Sequence, residues 1–286
     1  MTFSIVGRDP STGSLGIAVA TKFLAVGAGV PHARHSVAAV AIQAEHHPHY
    51  GTQLIDLLTA GSSAKDALQV VLADDPRRSL RQIGIVDQQG DAVSFTGEDC
   101  GYWAGGVAQT NVAAQGNMLV NEATVTRMVD YFLTSQEDLA YRLLGALTAG
   151  DRAGGDSRGK QSVALLVVSP PQGETLYSDG RMSLRVDDHP EPFSEMYRLL
   201  GVRERIFGEF SEEHAVTMGP KEAKQVQDSL FRLGYYEGPL HGTYDPLTQE
   251  ALRRFCYREN LRKRMTPDGR MDQVVFDYLV HRARSL

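Results

Sequence analysis

Cysteine is scarce in this chain. Cys100 and Cys256 are the only two in 286 residues, too few and too far apart for a disulfide framework or a thiolate metal site, which predicts a reducing compartment. An excess of basic charge is also missing. A formal net charge of −6 argues against a nucleic-acid surface, which needs clustered Lys and Arg to release phosphate counterions. The one dense basic group, Arg253, Arg254, Arg258, Arg262, Lys263 and Arg264, reads as a solvated helix face. No run approaches the ~18 apolar residues of a membrane span. The start of the chain also lacks the basic and apolar regions of a signal peptide, so the expectation is a cytoplasmic protein with no membrane partner. What is present is ordinary globular composition, 42% apolar and 22% charged, at a length that allows one large domain and one small one.

The first stretch, Met1-Thr2-Phe3-Ser4-Ile5-Val6-Gly7-Arg8, places a hydroxyl directly after a removable methionine. Loss of Met1 would make Thr2 the first residue, with its nucleophilic oxygen and its own α-amine together. An α-amine ordinarily titrates at roughly pH 7.7 to 8 and suits a general base near neutral pH. Phe3, Ile5 and Val6, the turn Asp9 to Gly13, and Leu15 to Ala20 read as a hairpin that holds this terminus in a sheet.

Further along, Ser36 to Gln43 reads as a buried strand, and Thr52 to Leu58 and Ala64 to Leu72 as helices, the second capped by Ser63. Gln82 to Val86 and Ala92 to Phe95 predict a second hairpin, Gly101 to Gly106 a loop, and Asn111 to Asn117 a short strand. Helices follow over about Glu122 to Leu133 and Asp138 to Leu147, with Gly150 as a stop. Gln161 to Val168 is the strongest buried-strand signal, Leu176-Tyr177 and Leu184 to Val186 add shorter strands, and Phe193 to Leu200 makes a last helix. Hairpins, paired helices and returning strands do not alternate as a doubly wound sheet would. They fit an α+β fold, a four-layer αββα sandwich over residues 1–202. A charged linker, 203–219, and a small three-helix domain, 220–286, complete the expected order.

Several groups could carry chemistry. Lys22 follows the strand paired with that of Thr2, where a buried cation would favour the basic form of the amine; an exposed strand-end lysine is the equal alternative. Gln115 and Asn117 are strand-end amides able to donate to an oxyanion or to cap a turn. Gly154, Gly155, Asp156 and Arg158 belong to a glycine-rich stretch, Gly154 to Gln161, with P-loop spacing. It precedes a strand instead of opening a helix, so nucleotide binding is not expected, and the stretch reads as a substrate wall or a source of backbone donors. His46, His47 and His49 in a Pro-containing loop read as surface, with no metal expected. Cys100, beside Glu98 and Asp99, reads as a structural thiol, since neighbouring carboxylates disfavour the thiolate.

Thr2 to Val6, Gly16 to Gly27, Gln115-Gly116-Asn117, Gly154 to Ser162 and Leu184 to Pro190 together resemble the bacterial and archaeal family known as domain of unknown function 1028. The resemblance covers about residues 1 to 200. That family is placed with the N-terminal-nucleophile (Ntn) hydrolases, which implies the αββα fold and an amidohydrolase with Thr2 as nucleophile. Ntn relatives keep an acid and a lysine near the nucleophile; here the second strand ends Ala20-Thr21-Lys22 without an acid. Val226 to Leu230, Leu233 to Tyr236, Gly238 to Gly242, Tyr244 to Thr248, Ala251 to Phe255 and Pro267-Asp268-Gly269 resemble the peptidoglycan-binding domain 1 family. Cys256 stands where that pattern usually has Gln. The combined expectation is a cofactor-free hydrolase of a small amide or peptide, with peptidoglycan fragments as candidate ligands and a homodimer left open. A binding protein that uses both domains for recognition is the alternative, and Cys100 thiol chemistry a third.

Overall fold

The computed structural model describes residues 2–170, 180–266 and 268–286. The chain divides into two compact units, one ending at Tyr197 and the other Arg198–Leu286.

In the first unit a six-stranded antiparallel sheet is built from β1 (Thr2–Arg8), β2 (Leu15–Thr21), β7 (Trp103–Gln109), β8 (Val112–Leu119), β9 (Ser162–Val168) and β10 (Arg181–Val186), in the order β10-β9-β2-β1-β8-β7. A second sheet orders β3 (Pro31–Arg34), β4 (Ala38–Ala44), β5 (Arg81–Asp87) and β6 (Ala92–Thr96) consecutively. Helices α1 (Tyr50–Thr59) and α2 (Ala64–Ala73) cover the second sheet, and α3 (Ala123–Thr134) and α4 (Leu139–Arg152) cover the first. The result is the αββα sandwich.

Strand alternation explains the layers. On β4 and β5, Val40, Ile42, Ile83 and Ile85 face outward onto Leu54, Ile55, Leu58 and Ala67 of the helices. The intervening Ala39, Ala41 and Val86 face inward and meet Val6, Ile17, Ala113 and Leu166 of the first sheet. On β1, Gly7 points the other way, and a Cβ there would fall on the Phe132 ring of α3. Both faces of the central strands are therefore buried, which is why those strands read as apolar runs.

The hairpin that begins at Thr2 is present, with Phe3 opposite Ala20 and Arg8 opposite Leu15. Ser63 caps α2 by accepting from the Asp66 N–H at 3.1 Å. The expected loop at Gly101 to Gly106 is instead the start of β7. Gly106 serves close sheet-to-sheet approach, since a Cβ there would collide with Ser94 Oγ of β6. Gly150 does not stop a helix either: α4 runs on to Arg152, and Gly150 lies against Met128 of α3. β3 lacks apolar alternation and had no strand signal. The expected strand at Leu176-Tyr177 lies outside the described residues.

Helix α5 (Pro192–Phe207) runs seven residues past the expected end at Leu200, through the first part of the expected linker. Arg264 supports the extension, because its guanidinium donates to the carbonyls of Arg205 and of Glu204, the latter also accepting from the Gly208 N–H, in the last turn of the helix. In the second unit α6 (Pro220–Arg232), α7 (Pro246–Arg258) and α8 (Gln273–Arg284) enclose Val226, Leu230, Leu252, Phe255 and Leu279. Asp245 and Asp272 cap α7 and α8 by accepting from the N–H groups of Thr248 and Val275, and Gly234 takes a left-handed turn after α6. Within the expected Pro267-Asp268-Gly269 motif, Pro267 lies outside the described residues.

Candidate active site at the Thr2 end of the sandwich

β1 is central in its sheet, so its first described residue is held from both sides. Thr2 lies opposite Asn117 of β8, and Phe3 lies opposite Ala20 of β2. Thr2 is only 8% exposed, and its Oγ1 donates to Thr21 Oγ1 at 3.3 Å. Its carbonyl accepts from Gln43 Nε2 at 3.3 Å.

Behind Thr2 the space between the sheets is filled with amides. Gln82 Oε1 accepts from Gln43 Nε2 and from Asn117 Nδ2, each at 2.8 Å. Gln82 Nε2 donates to Gly116 O at 2.7 Å and to Thr96 Oγ1 at 2.9 Å. Gln115 Nε2 donates to Ser4 Oγ at 2.7 Å. Gln115 has room because Gly84 of β5 lacks a Cβ, which would fall on its amide oxygen. Ser4, Thr21, Gln43, Gln82, Gln115 and Asn117 are all buried. A buried amide left without a partner costs about 1–3 kcal/mol, which is why the network is interlocked.

Asp156 closes the front. Its Oδ2 accepts from the Lys22 N–H at 2.9 Å, and the residue bridges to Leu119. It thus reaches from the end of β2 to the end of β8, the two strands that flank β1. The Arg158 guanidinium pairs with the same carboxylate at 3.1 Å.

The structure corrects three expectations. Lys22 is not a buried cation; β2 ends at Thr21, the Lys22 side chain is exposed, and its Nζ donates to Lys160 O at 3.4 Å. Gly154 and Gly155 do not present their amides outward. Gly154 N–H donates to Asp151 O at 3.1 Å, and Gly155 N–H donates to Thr124 Oγ1 at 3.1 Å and Gly150 O at 3.2 Å. Asn117 Nδ2 and Gln115 Nε2 likewise donate inside the network, to Gln82 Oε1 and Ser4 Oγ. Thr2, Gln115, Asn117 and Asp156 are nevertheless gathered at one end of one sandwich.

Sequence reasoning passed over Gln43, Gln82, Ser4 and Thr21. The available signal was a polar side chain at an inward position of a buried strand. Also unforeseen is the buried pair beside this end, in which Arg81 Nε donates to Asp75 Oδ2 at 2.8 Å and Tyr50 OH to the same oxygen at 2.5 Å. The bond from Arg81 holds the Asp75 carboxyl well below the usual carboxylate range, while burial and the bond to Asp75 push the Tyr50 hydroxyl up. Arg81 also donates to the carbonyls of Glu45 and His46, fixing the histidine loop.

His46 and His32 each donate Nε2 to Gly29 O at 3.0 Å, and His47 stacks on Tyr50. Among the described residues no three metal-ligating side chains gather. Cys100 is buried beside Arg81 O, and burial, with a contribution from Asp99, pushes its thiol up.

Two further features concentrate at this end. Ala25, Ala44, Tyr102 and Met118 hold positive φ, a conformation that costs L-residues energy and clusters at functional sites. Exposed apolar side chains also flank β1: Phe23 (69%) and Leu24 follow β2, Val120 follows β8, and Tyr102 (87%) precedes β7.

An αββα sandwich with a polar, strained strand end defines the structural class. Residues 2–196 match the family described as a family of unknown function, DUF1028, and the chain belongs to that family. The crystal structure of protein SPO2555 from Silicibacter pomeroyi, itself of family DUF1028, is 32% identical, covering 71% of this chain and 89% of that one with a TM-score of 0.65. Anbu (ancestral beta-subunit) from Yersinia bercovieri aligns over 70% of this chain and 93% of its own, at 12% identity and a TM-score of 0.35, too distant to argue from. Residues 206–279 match the family described as "Putative peptidoglycan binding domain". No curated protein matches the chain. Among the described residues no helix is long and apolar enough to cross a membrane.

Proposed function

We propose that the αββα unit is an amidohydrolase whose nucleophile is Thr2, made the first residue by loss of Met1. The observation that carries this reading is the placement of the Thr2 hydroxyl. It stands at the end of a central strand, against a buried amide network, and between the two strand ends that Asp156 links. A sandwich built for stability alone would fill that space with apolar side chains. In the proposed cycle the free α-amine takes the hydroxyl proton as Oγ1 attacks an amide carbonyl. The C–N bond then breaks, the amine leaves with that proton, and an ester to Thr2 remains. Water, deprotonated by the same amine, hydrolyses the ester and restores the hydroxyl. The match at 206–279 supports a cell-wall-derived peptide or amide as substrate.

A second reading is a binding protein without catalysis. The internal use of donors on Asn117, Gln115 and Gly155 favours it, because those bonds would have to break before the same N–H groups could serve an oxyanion.

Intact mass after expression in a methionine-processing host separates the two. The catalytic reading expects loss of one methionine, and then a β-lactone adduct on the tryptic peptide Thr2–Arg8. Thr2→Ala should lower the rate of adduct formation on the order of 10⁶-fold, the scale seen when a covalent nucleophile is removed. Retained Met1, or equal labelling of the Ala variant, would leave only the binding reading.

A further inference from the structure

The loops on either side of β1 carry apolar side chains into solvent on backbone that is held and strained. After β2, Ser162 Oγ donates to Phe23 O at 2.6 Å and accepts from the Val26 N–H at 3.2 Å. Phe23 and Leu24 thus sit exposed on a fixed loop, which continues through Ala25 at φ 55°. Before β7, the Met118 N–H donates to Gly101 O at 3.2 Å, and Gly101 and Tyr102 hold consecutive left-handed conformations, φ 69° and 49°. A bulky residue at positive φ is uncommon, and such strain clusters at ligand clamps and active sites. Core packing does not account for either loop, because these side chains face away from it.

Charge divides the same edge. On the β2 side Lys22 is exposed, and its Nζ meets a carbonyl, Lys160 O, and no carboxylate among the described residues. Beyond β7, Glu98 and Asp99 are exposed on the turn from β6, which the Asp99 N–H fixes by donating to Ser79 O at 2.8 Å. Among the described residues neither makes an ion pair, with neighbouring Arg78 or with another cation. The pairs Asp156–Arg158 and Glu45–Arg77, at the same end, are balanced within themselves. One flank of Thr2 is therefore left positive and the other negative, with apolar side chains between them.

The distance between the flanks selects a length. β2 and β7 lie three strand spacings apart, about 14 Å at ~4.8 Å each. An extended chain advances about 3.3–3.6 Å per residue, so about four residues cover that span.

We infer that the Thr2 end receives a short free peptide of about four residues laid across the strand ends. Its carboxylate lies toward Lys22, its amino group toward Glu98 and Asp99, and its apolar side chains against Phe23, Leu24 and Tyr102. The inference rests on the Thr2 end being the ligand site, which the catalytic and the binding readings share.

Calorimetric titration of the full chain, wild type and Thr2→Ala, with the tetrapeptide Phe-Ala-Ala-Leu tests it. Saturable binding is expected, weakened about tenfold by Tyr102→Ala, the scale of one large apolar contact. That side chain is exposed enough to be replaced without unfolding, which thermal melts would verify. N-acetylation of the peptide should weaken binding about two- to fivefold, the scale of an exposed ion pair, and should have no effect in a chain carrying Glu98→Gln and Asp99→Asn. C-amidation should behave in the same way toward Lys22→Met. Equal affinity for free and doubly blocked peptides, or no saturation in either chain, would overturn the inference. So would a dimer in sedimentation that Tyr102→Ala dissociates, since a second copy would then occupy this edge. Lactone labelling of Thr2 without peptide binding would overturn the inference and leave the catalytic reading standing; peptide binding without labelling would do the reverse.

Discussion

Val6, Ile17, Ala39, Ala41, Val86 and Leu166 pack between the sheets at one end of the sandwich, while Ser4, Gln43, Gln82, Gln115 and Asn117 occupy the same layer at the Thr2 end. The strands are shared, so the change happens within single elements: Val6 and Thr2 are both on β1, and Ala41 and Gln43 are both on β4. Apolar packing is non-directional and tolerates volume-conserving exchange. An interlocked amide network tolerates little, because each removal strands a buried partner. The apolar end holds the sheets together, and the polar end fixes where particular atoms sit.

Substitutions at the two ends should therefore fail differently. Ile17→Ala, at the apolar end, should lower unfolding free energy by about 2–5 kcal/mol in a urea titration while leaving the labelling rate of Thr2 unchanged. A parallel loss of labelling would show that the two ends are not separable. Gln82→Leu removes the acceptor shared by Gln43 and Asn117. A smaller loss, about 1–3 kcal/mol, is expected, together with slower labelling, because Gln43 also holds the Thr2 carbonyl. Stability loss without any change in labelling would make the network purely structural. The smallest effect belongs to Cys100→Ala, which should leave the labelling rate intact and cost on the order of 1 kcal/mol, mostly buried volume. A Cys100 variant that stops labelling would move the chemistry to the thiol.

Much of this contrast was legible in the chain, and the remainder has a physical reason for being hidden. The hairpin at Thr2, the run Ser162 to Val168 and the Ser63 cap follow from local periodicity and capping chemistry, which neighbouring residues decide. Gln115 and Asn117 stood out because they follow one another at the spacing of one strand face. Gln43 and Gln82 did not, since each sits at the margin of an apolar run and looks like an exit to solvent. Only pairing across the two sheets, with partners 34 to 72 positions away, turns them inward. Gly106 in β7 gave a loop signal for a similar reason, because the surface demanding its small size belongs to β6. Lys22 stood evenly between a buried and an exposed reading because burial of a strand end says nothing about the side chain one residue beyond it.

The central position of β1 also sets an order of events in time. Thr2 pairs opposite Asn117, a residue synthesised 115 positions later (117 − 2). At about 5–20 residues per second, β8 emerges roughly 6 to 23 s after Thr2, and until then β1 lacks one of its two neighbours. After docking, Thr2 is 8% exposed. On the proposed reading, that interval is when the Met1–Thr2 bond lies on a strand still open on one side, and translation speed would set its length.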